Sequence, residues 1–166
     1  MTASCRILTW KEGMLAAVGH DLRLEVDRFE LSVDSEAIRA TFDLASIRCV
    51  CARRSGVDAP GVLSAEDTRQ IEENTRNLVL EVKRFPTAVF ASTSVDREDP
   101  EEWEIAGQLQ IHGVTRSVRA IAKAVGGRRM AKVVIHQPDF GIKPFSALLG
   151  TLRVKPSIEV EISVDP

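Results

Sequence analysis

Strict alternation of apolar and polar residues, repeated in segment after segment, constrains this chain more than any other feature. Apolar side chains fall at 22, 24 and 26, and again at 38, 40, 42 and 44. They recur at 103, 105, 109 and 111, with Gly107 filling the same phase, and at 158, 160, 162 and 164. A period of two places each set on one face of a pleated strand. One dry face and one wet face is the signature of antiparallel sheet. The turn residues agree. Gly126-Gly127 separates two strand-like runs by two residues, a strong hairpin signal. His112-Gly113, Asp34-Ser35 and residues 96–101 with Pro100 mark further turns, so residues 103–137 read as a three-stranded meander.

The alternation yields roughly eight to nine strands in 166 residues, a length that suits one domain, residues 1–166, with its own apolar core. An open sheet of that size exposes its edges, and closure removes them. The expected fold is therefore all-β, an antiparallel up-and-down barrel of about eight strands. One segment departs from the pattern. Ser64-Ala-Glu-Asp resembles a capping box with Asp in place of Glu, which predicts a helix over about 65–77, with Ile71, Thr75 and Leu78 on one side. Pro86 argues against a strand through 79–86, so the strand resumes near Thr87. A second irregular stretch covers 139–150, where Pro144 to Leu149 suggests one helical turn.

The interior of such a barrel holds side chains or one small ligand. The residues assigned to it are Leu24, Phe42, Phe90, Ile105, Leu109, Ile111, Val118, Ala120, Ala122, Val160 and Ile162. Gly107, Ala120 and Ala122 are small for core positions, which leaves room unless bulk such as Phe42 and Phe90 fills it. Tyrosine is absent, and only Trp10 and Trp103 offer an indole donor. A cavity with that lining suits a long hydrocarbon better than a sugar or nucleotide.

Signals for catalysis are weak. No G-x-S-x-G, G-x-G-x-x-G or P-loop occurs, and His20, His112 and His136 are scattered without metal-ligand spacing. His20-Asp21 is the one pair with a general-base look. The expectation is a non-enzyme with no metal and no cofactor, apart from a bound lipid. Cys5, Cys49 and Cys51 form no disulfide framework, and a spacing of two places Cys49 and Cys51 on one strand face. The N-terminus carries no basic or apolar leader, and the longest apolar run, Met14 to Val18, cannot span a bilayer. The expected location is the cytoplasm. Net charge is −2, which speaks against a nucleic-acid partner. The charge is unevenly spread, however. Residues 113–157 hold nine Lys and Arg against one acid, and residues 58–104 hold twelve acids against five bases. The basic stretch reads either as a solvated face or as a rim for an anionic headgroup or a peripheral membrane contact, with Arg116 and Lys143 as headgroup candidates.

Several stretches taken together resemble the YceI-like family: Gly19-His-Asp-Leu, Leu63-Ser-Ala-Glu-Asp, residues 82–92, residues 107–116, Asp139-Phe-Gly-Ile and the final alternating strand. The similarity runs along nearly the whole chain. It implies a lipocalin-like barrel with a helix over one side and an apolar tunnel for isoprenoid-type lipids such as polyprenyl chains or quinone tails. The family's tunnel positions fall here on Phe90, Leu109, Ile111, Val118 and Ala120, and the resemblance carries no catalytic residue. Many members are exported, whereas this sequence shows no leader. Residues 143–150 form an apolar stretch where a mouth or lid would lie. The expected function is non-enzymatic binding of an amphiphilic isoprenoid lipid, by a monomer or homodimer. The competing expectation is a filled barrel that docks a protein or membrane partner through its basic face.

Overall fold

The structure is a computed structural model and describes residues 2–165. Its first strands are β1 (Ala3–Thr9), β2 (Lys11–Glu12), β3 (Asp21–Val26), β4 (Phe29–Val33), β5 (Ile38–Asp43), β6 (Ile47–Arg54) and β7 (Val57–Ala59). The helix α1 (Ala65–Glu73) follows. Beyond it lie β8 (Thr87–Asp96), β9 (Glu102–Ile111), β10 (Val114–Val125), β11 (Arg128–His136), β12 (Ser146–Ala147), β13 (Leu152–Val154) and β14 (Ser157–Val164).

Eight long arms make the wall. β3 runs on into β4, and β5 runs through a short turn, Leu44–Ser46, into β6, so each pair is one arm bent at its middle. β4 pairs with β5 and β3 with β6, which makes this a single bent hairpin. Every other ladder joins neighbours in the meander: β5 to β8, β8 to β9, β9 to β10, β10 to β11, and β11 to β14. The last arm, β14, pairs with β1, and β1 pairs with β3. All of these pairings are antiparallel, and the circuit closes as a lipocalin-like, up-and-down barrel. The expected count of about eight strands thus describes the arms.

The glycine turns behave as their chemistry requires. Gly126 and Gly127 have φ of 57° and 80°, and His112 and Gly113 have 54° and 74°, so both two-residue turns use the left-handed backbone that matches strand twist. Asp34 accepts from the amides of Glu36 and Ala37 at 2.9 and 2.7 Å and thereby shapes the β4–β5 turn.

The helix begins at the expected cap. Ser64 Oγ accepts from the Asp67 amide at 3.0 Å, and Asp67 accepts from the Ser64 amide at 2.9 Å. A π turn, Asn74–Val79, then widens the helix, with the Leu80 amide reaching Thr75 O at 3.0 Å. The extra residue rotates the inward face. Thr75 faces the barrel interior on the expected side, whereas Leu78 is exposed and Val79 and Leu80 point inward in its place. Where β6 diverges from β8, the helix covers its open edge. Glu72 accepts from the Cys49 amide at 2.9 Å, and Arg76 Nε donates to Ile47 O at 2.9 Å.

Two further expectations change. Leu24 pairs with Cys49 but Arg23 pairs with Cys51, so Val50 is an extra, bulged residue. The bulge turns Cys49 toward the core and Cys51 toward the outer, charged side, and the two thiols do not share a face. Ser146–Ala147 are a short strand, and the turn at Leu148–Gly150 is short and broken, with Leu148 and Leu149 at φ of 53° and 56°. β12, β13 and β2 form a separate three-stranded sheet at the helix end of the barrel, which the sequence reading did not contain.

Candidate functional site

The inner faces of the arms enclose a cavity of about 260 Å³. For scale, an apolar cavity of roughly 150 Å³ engineered in another protein takes up benzene. No lining side chain is charged; Thr9, Thr75 and Gln137 are the polar ones, with the thiol Cys5 beside them. Ten of the eleven residues assigned to the interior border this space. Leu24, Phe42, Phe90, Ile105 and Leu109 do so from one half of the wall, and Ile111, Val118, Ala120, Val160 and Ile162 complete it. Ala122 does not. It is buried in a separate apolar cluster with Ile38 and Ile105 at the end away from the helix.

Of the three small residues expected to supply the room, one, Ala120, borders the cavity. A Cβ on Gly107 would meet the Phe90 ring at 2.5 Å, so Phe90 lies in the space that glycine vacates. Ala120 does border the cavity, joined by Ala40, Ala88 and Ala131 from other arms. The void is thus bordered by alanines distributed around the circumference, each paired on the adjacent strand with a larger aliphatic or phenyl group.

The two ends differ. At the end away from the helix, Trp103 is held between two guanidinium groups, Arg129 at 4.0 Å and Arg97 at 4.7 Å from its ring centre. Arg97 donates to the carbonyls of Ser35 and Asp34 at 2.5 and 2.7 Å, and Arg129 to that of Pro100 at 2.8 Å. This stack locks the β4–β5 and β8–β9 turns across the barrel floor. At the helix end the cover is assembled from separate pieces: Thr75, Val79 and Leu80 on one side, and Ile142, Phe145 and Val154 on the other. Glu81, His112 and Phe85 tie the helix exit to the β9–β10 turn. His112 Nε2 lies 2.6 Å from Glu81 Oε2, and its ring centre is 4.3 Å from that of Phe85.

Both buried polar residues of the lining sit at this second end. Thr9 is 7 % exposed, and its Oγ1 has no hydrogen-bond partner among the described residues. Gln137 is 5 % exposed; its amide nitrogen donates to Lys155 O at 3.2 Å. They flank the start of β14, since Thr9 adjoins the β14 ladder and the Gln137 amide bonds Pro156 O at 2.9 Å. Neither was singled out in the sequence. Thr9 falls in phase with Cys5 and Ile7, but nothing local distinguishes it from a wet-face threonine.

The remaining candidates lie elsewhere. Arg116 is exposed and donates from Nε to Asp139 O at 2.9 Å, and Lys143 is exposed beside the lining residue Ile142. Four of the nine basic residues pair with acids, Lys123 with Glu102, Arg128 with Asp165, Lys132 with Glu159 and Glu161, and Arg153 with Glu12, and Arg116 and Arg129 donate to carbonyls. A continuous basic rim is therefore not what the fold makes of those nine charges. Asp21 Oδ1 accepts from the Lys11 amide at 2.9 Å, a strand-end contact outside the cavity, and His136 Nδ1 sits 3.2 Å from Ser157 Oγ. Among the described residues no group of three or more His, Cys, Asp or Glu is placed to hold a metal. Burial, with help from Glu25, pushes the Cys5 thiol up to about 12, and burial, then Glu72, pushes Cys49 up to about 11. Burial also raises Cys51. Raised values keep all three thiols protonated and poorly nucleophilic at neutral pH. No helix among the described residues is long and apolar enough to cross a membrane.

Comparison with known proteins bears on this geometry. Residues 8–165 match the YceI-like domain. A UPF0312 protein of Pseudomonas putida strain F1 is 36% identical over 90 residues, 48% of this chain and 47% of that protein. Protein YceI of Salmonella newport is 47% identical over 47 residues, 28% of this chain and 24% of that one. The matched region thus spans about half the length of the first of these relatives or less. Among solved structures, Burkholderia cenocepacia BcnA superposes with a TM-score of 0.61 at 12% identity, covering 98% of this chain and 94% of that one. A polyisoprenoid binding domain from Saccharophagus degradans gives 0.60 at 12% identity, covering 99% and 94%. The Campylobacter jejuni YceI protein gives 0.54 at 16%, covering 87% and 86%. At these identities the superpositions speak for the fold.

Proposed function

The chain belongs to the YceI-like family, and on that premise we propose that it is a non-enzymatic carrier of an amphiphilic isoprenoid lipid, held tail-inward in the barrel. The cavity carries the proposal: a space of about 260 Å³ bounded mostly by hydrocarbon and by no charged side chain. Such a wall rewards apolar area and little else. At roughly 0.8 kcal/mol per buried CH₂, a tail of about ten carbons contributes on the order of 8 kcal/mol before the cost of association. The relative from Saccharophagus degradans, a polyisoprenoid binding domain, supports the same ligand class.

The tail runs toward Trp103 and the polar head stays at the helix end. Thr9 Oγ1 and the Gln137 amide are the hydrogen-bonding groups there, and the arginine–tryptophan stack closes the other end. A head with a carbonyl or hydroxyl oxygen suits those two groups. A charged head would stay outside, where Lys143 lies. The filled-barrel docking module loses ground to this reading, because its premise is an interior without a cavity.

The test is native mass spectrometry of protein purified without harsh detergent, followed by loading with an isoprenoid quinone or polyprenol dispersed in mild detergent. A stoichiometric adduct is expected. Bare protein in repeated preparations, together with no uptake on loading, would remove the proposal.

A further inference from the structure

Two loops at the helix end carry large apolar side chains that point into solvent. Met14 is 91 % exposed and Leu149 fully exposed, and Leu15, Val18 and Leu148 are exposed beside them. Scattered exposed leucines are ordinary, but clustered ones mark an interaction surface. These five come from segments far apart in sequence that the fold fastens together. β2 pairs with β13, matching Glu12 with Arg153 and Lys11 with Val154. The Leu15 amide donates to Thr151 O at 2.8 Å. Gly13, at φ of 105°, lies so close to Thr151 O that a Cβ there would come within 2.4 Å. The loops are thus a built unit.

The backbone of the second loop reinforces this. Leu148 and Leu149 are both in the left-handed region, which costs a branched residue energy that glycine or asparagine would avoid. A chain that sought only to make this turn has cheaper residues available. Leucine at both positions holds two isobutyl groups outward.

Three further observations say what the tip meets. The same segment that carries Leu148 and Leu149 also walls the cavity, through Ile142, Phe145 and Val154. Residues 140–157 contain Lys143, Arg153 and Lys155 and no acid. On the facing loop, residues 10–20, Glu12 is the single acid and it pairs with Arg153 at 3.4 Å; Lys11 Nζ donates to Gly19 O at 3.2 Å, and Lys143 and Lys155 are exposed, so three lysines, with no unpaired acid in these two segments, make a positive collar. Apolar tips within a cationic collar match the surface of an anionic bilayer, where hydrocarbon enters the interface and lysines meet the headgroups.

We infer that Met14, Leu15, Val18, Leu148 and Leu149 form a membrane-insertion tip that seats the cavity's helix end on an anionic lipid surface. The inference extends the lipid-carrier reading by naming where cargo passes between bilayer and barrel. A lipid moving from one to the other then need not cross water, because the Phe145–Val154 wall and the inserted tip belong to one segment.

The experiment is co-sedimentation of the full chain with vesicles of phosphatidylcholine alone and of phosphatidylcholine and phosphatidylglycerol in equal parts. The wild type is expected to pellet with the mixed vesicles and to be released by salt. The double variant L148N/L149N keeps the left-handed turn, because asparagine accepts it. Its binding should fall by at least about tenfold, with the melting temperature unchanged or raised. Wild type left in the supernatant with mixed vesicles, or a double variant that pellets equally well, overturns the inference. So does a wild-type dimer in vesicle-free buffer that the double variant converts to monomer, since the tip would then cover a second copy. Loading from detergent is read separately. The double variant should still take up isoprenoid there, and failure of both proteins to load would count against the carrier reading and leave the sedimentation result to decide the tip.

Discussion

The two ends of the barrel are built on opposite principles. At the floor, one indole carries two guanidinium groups that also donate to turn carbonyls, so a single side-chain stack ties together distant turns. At the helix end the cover comes from a helix broken by a π turn and from a three-stranded sheet of very short strands. The first arrangement concentrates its contacts on one residue and resists opening. The second spreads them over several short separate segments, an arrangement that opens more readily and so suits the end where a ligand enters. Both of the buried polar groups on the cavity wall, and the exposed apolar tip, lie at the second end.

The strongest challenge to that contrast is Trp103→Ala. It removes the filling of the stack and strands Arg97 and Arg129 over a hole, and we expect a loss of about 3 kcal/mol in urea unfolding. A loss below about 1 kcal/mol would mean that the floor is no more specialised than the mouth. Alkaline titration probes the wall between the ends. The Cys5 thiol is raised from 9.0 to about 12 in the folded protein, so its contribution is complete below pH 9 and disappears as pH climbs toward 12. Unfolding free energy should fall by up to about 1.4 kcal/mol for each unit gained above pH 9. Cys5→Ala should be less stable at neutral pH and flatter in that range, and an unchanged slope would assign the alkaline loss to other groups.

Ala120→Phe separates the cavity from its surroundings. Inserting a ring into a filled core costs about 1–3 kcal/mol. Here the ring enters open space between Val133 and Ile105, so the fold should lose less than about 1 kcal/mol while isoprenoid uptake drops at least about tenfold. Paired measurements of melting and loading decide it, and a destabilised protein that still loads would contradict the assigned route of the tail.

How far the sequence revealed these features depends on the range over which each is encoded. The wall was legible because the pleat repeats every two residues, so Leu22, Leu24 and Val26, or Leu109 and Ile111, declare their face without any partner. The helix start was legible because Ser64 and Asp67 satisfy each other locally. What escaped depends on partners or on broken periods. Val50 is one extra residue in β6, enough to reverse the face of Cys51. The π turn moved the inward position from Leu78 to Val79. The sequence alone leaves Gly107 as either empty space or room filled by Phe42 or Phe90, because the group that fills it, Phe90, belongs to another strand. The basic stretch leaves a solvated face and a rim as open alternatives because the acids that pair with it, Glu102, Glu159, Glu161 and Asp165, lie outside it in sequence. Strands of two or three residues such as β2, β12 and β13 are too short to show a period at all.

The smallest predicted effect tests whether the mouth is assembled from independent parts. Ser64 Oγ caps α1 by accepting from the Asp67 amide at 3.0 Å, well outside the cavity. Ser64→Ala should cost about 1 kcal/mol. The site of the loss matters more than its size. If the helix is a separate piece of the cover, hydrogen exchange should quicken in α1 and at the Cys49 amide that Glu72 holds, with β9 and β10 unaffected. The cap should also be sensitive to acid. The Ser64 amide and hydroxyl hold the Asp67 carboxyl below its usual range, so its contribution persists above that range and fades as pH falls through it. Exchange that quickened equally around the whole barrel would mean that helix and wall open as one unit, and the difference between the two ends would then be one of geometry and not of dynamics.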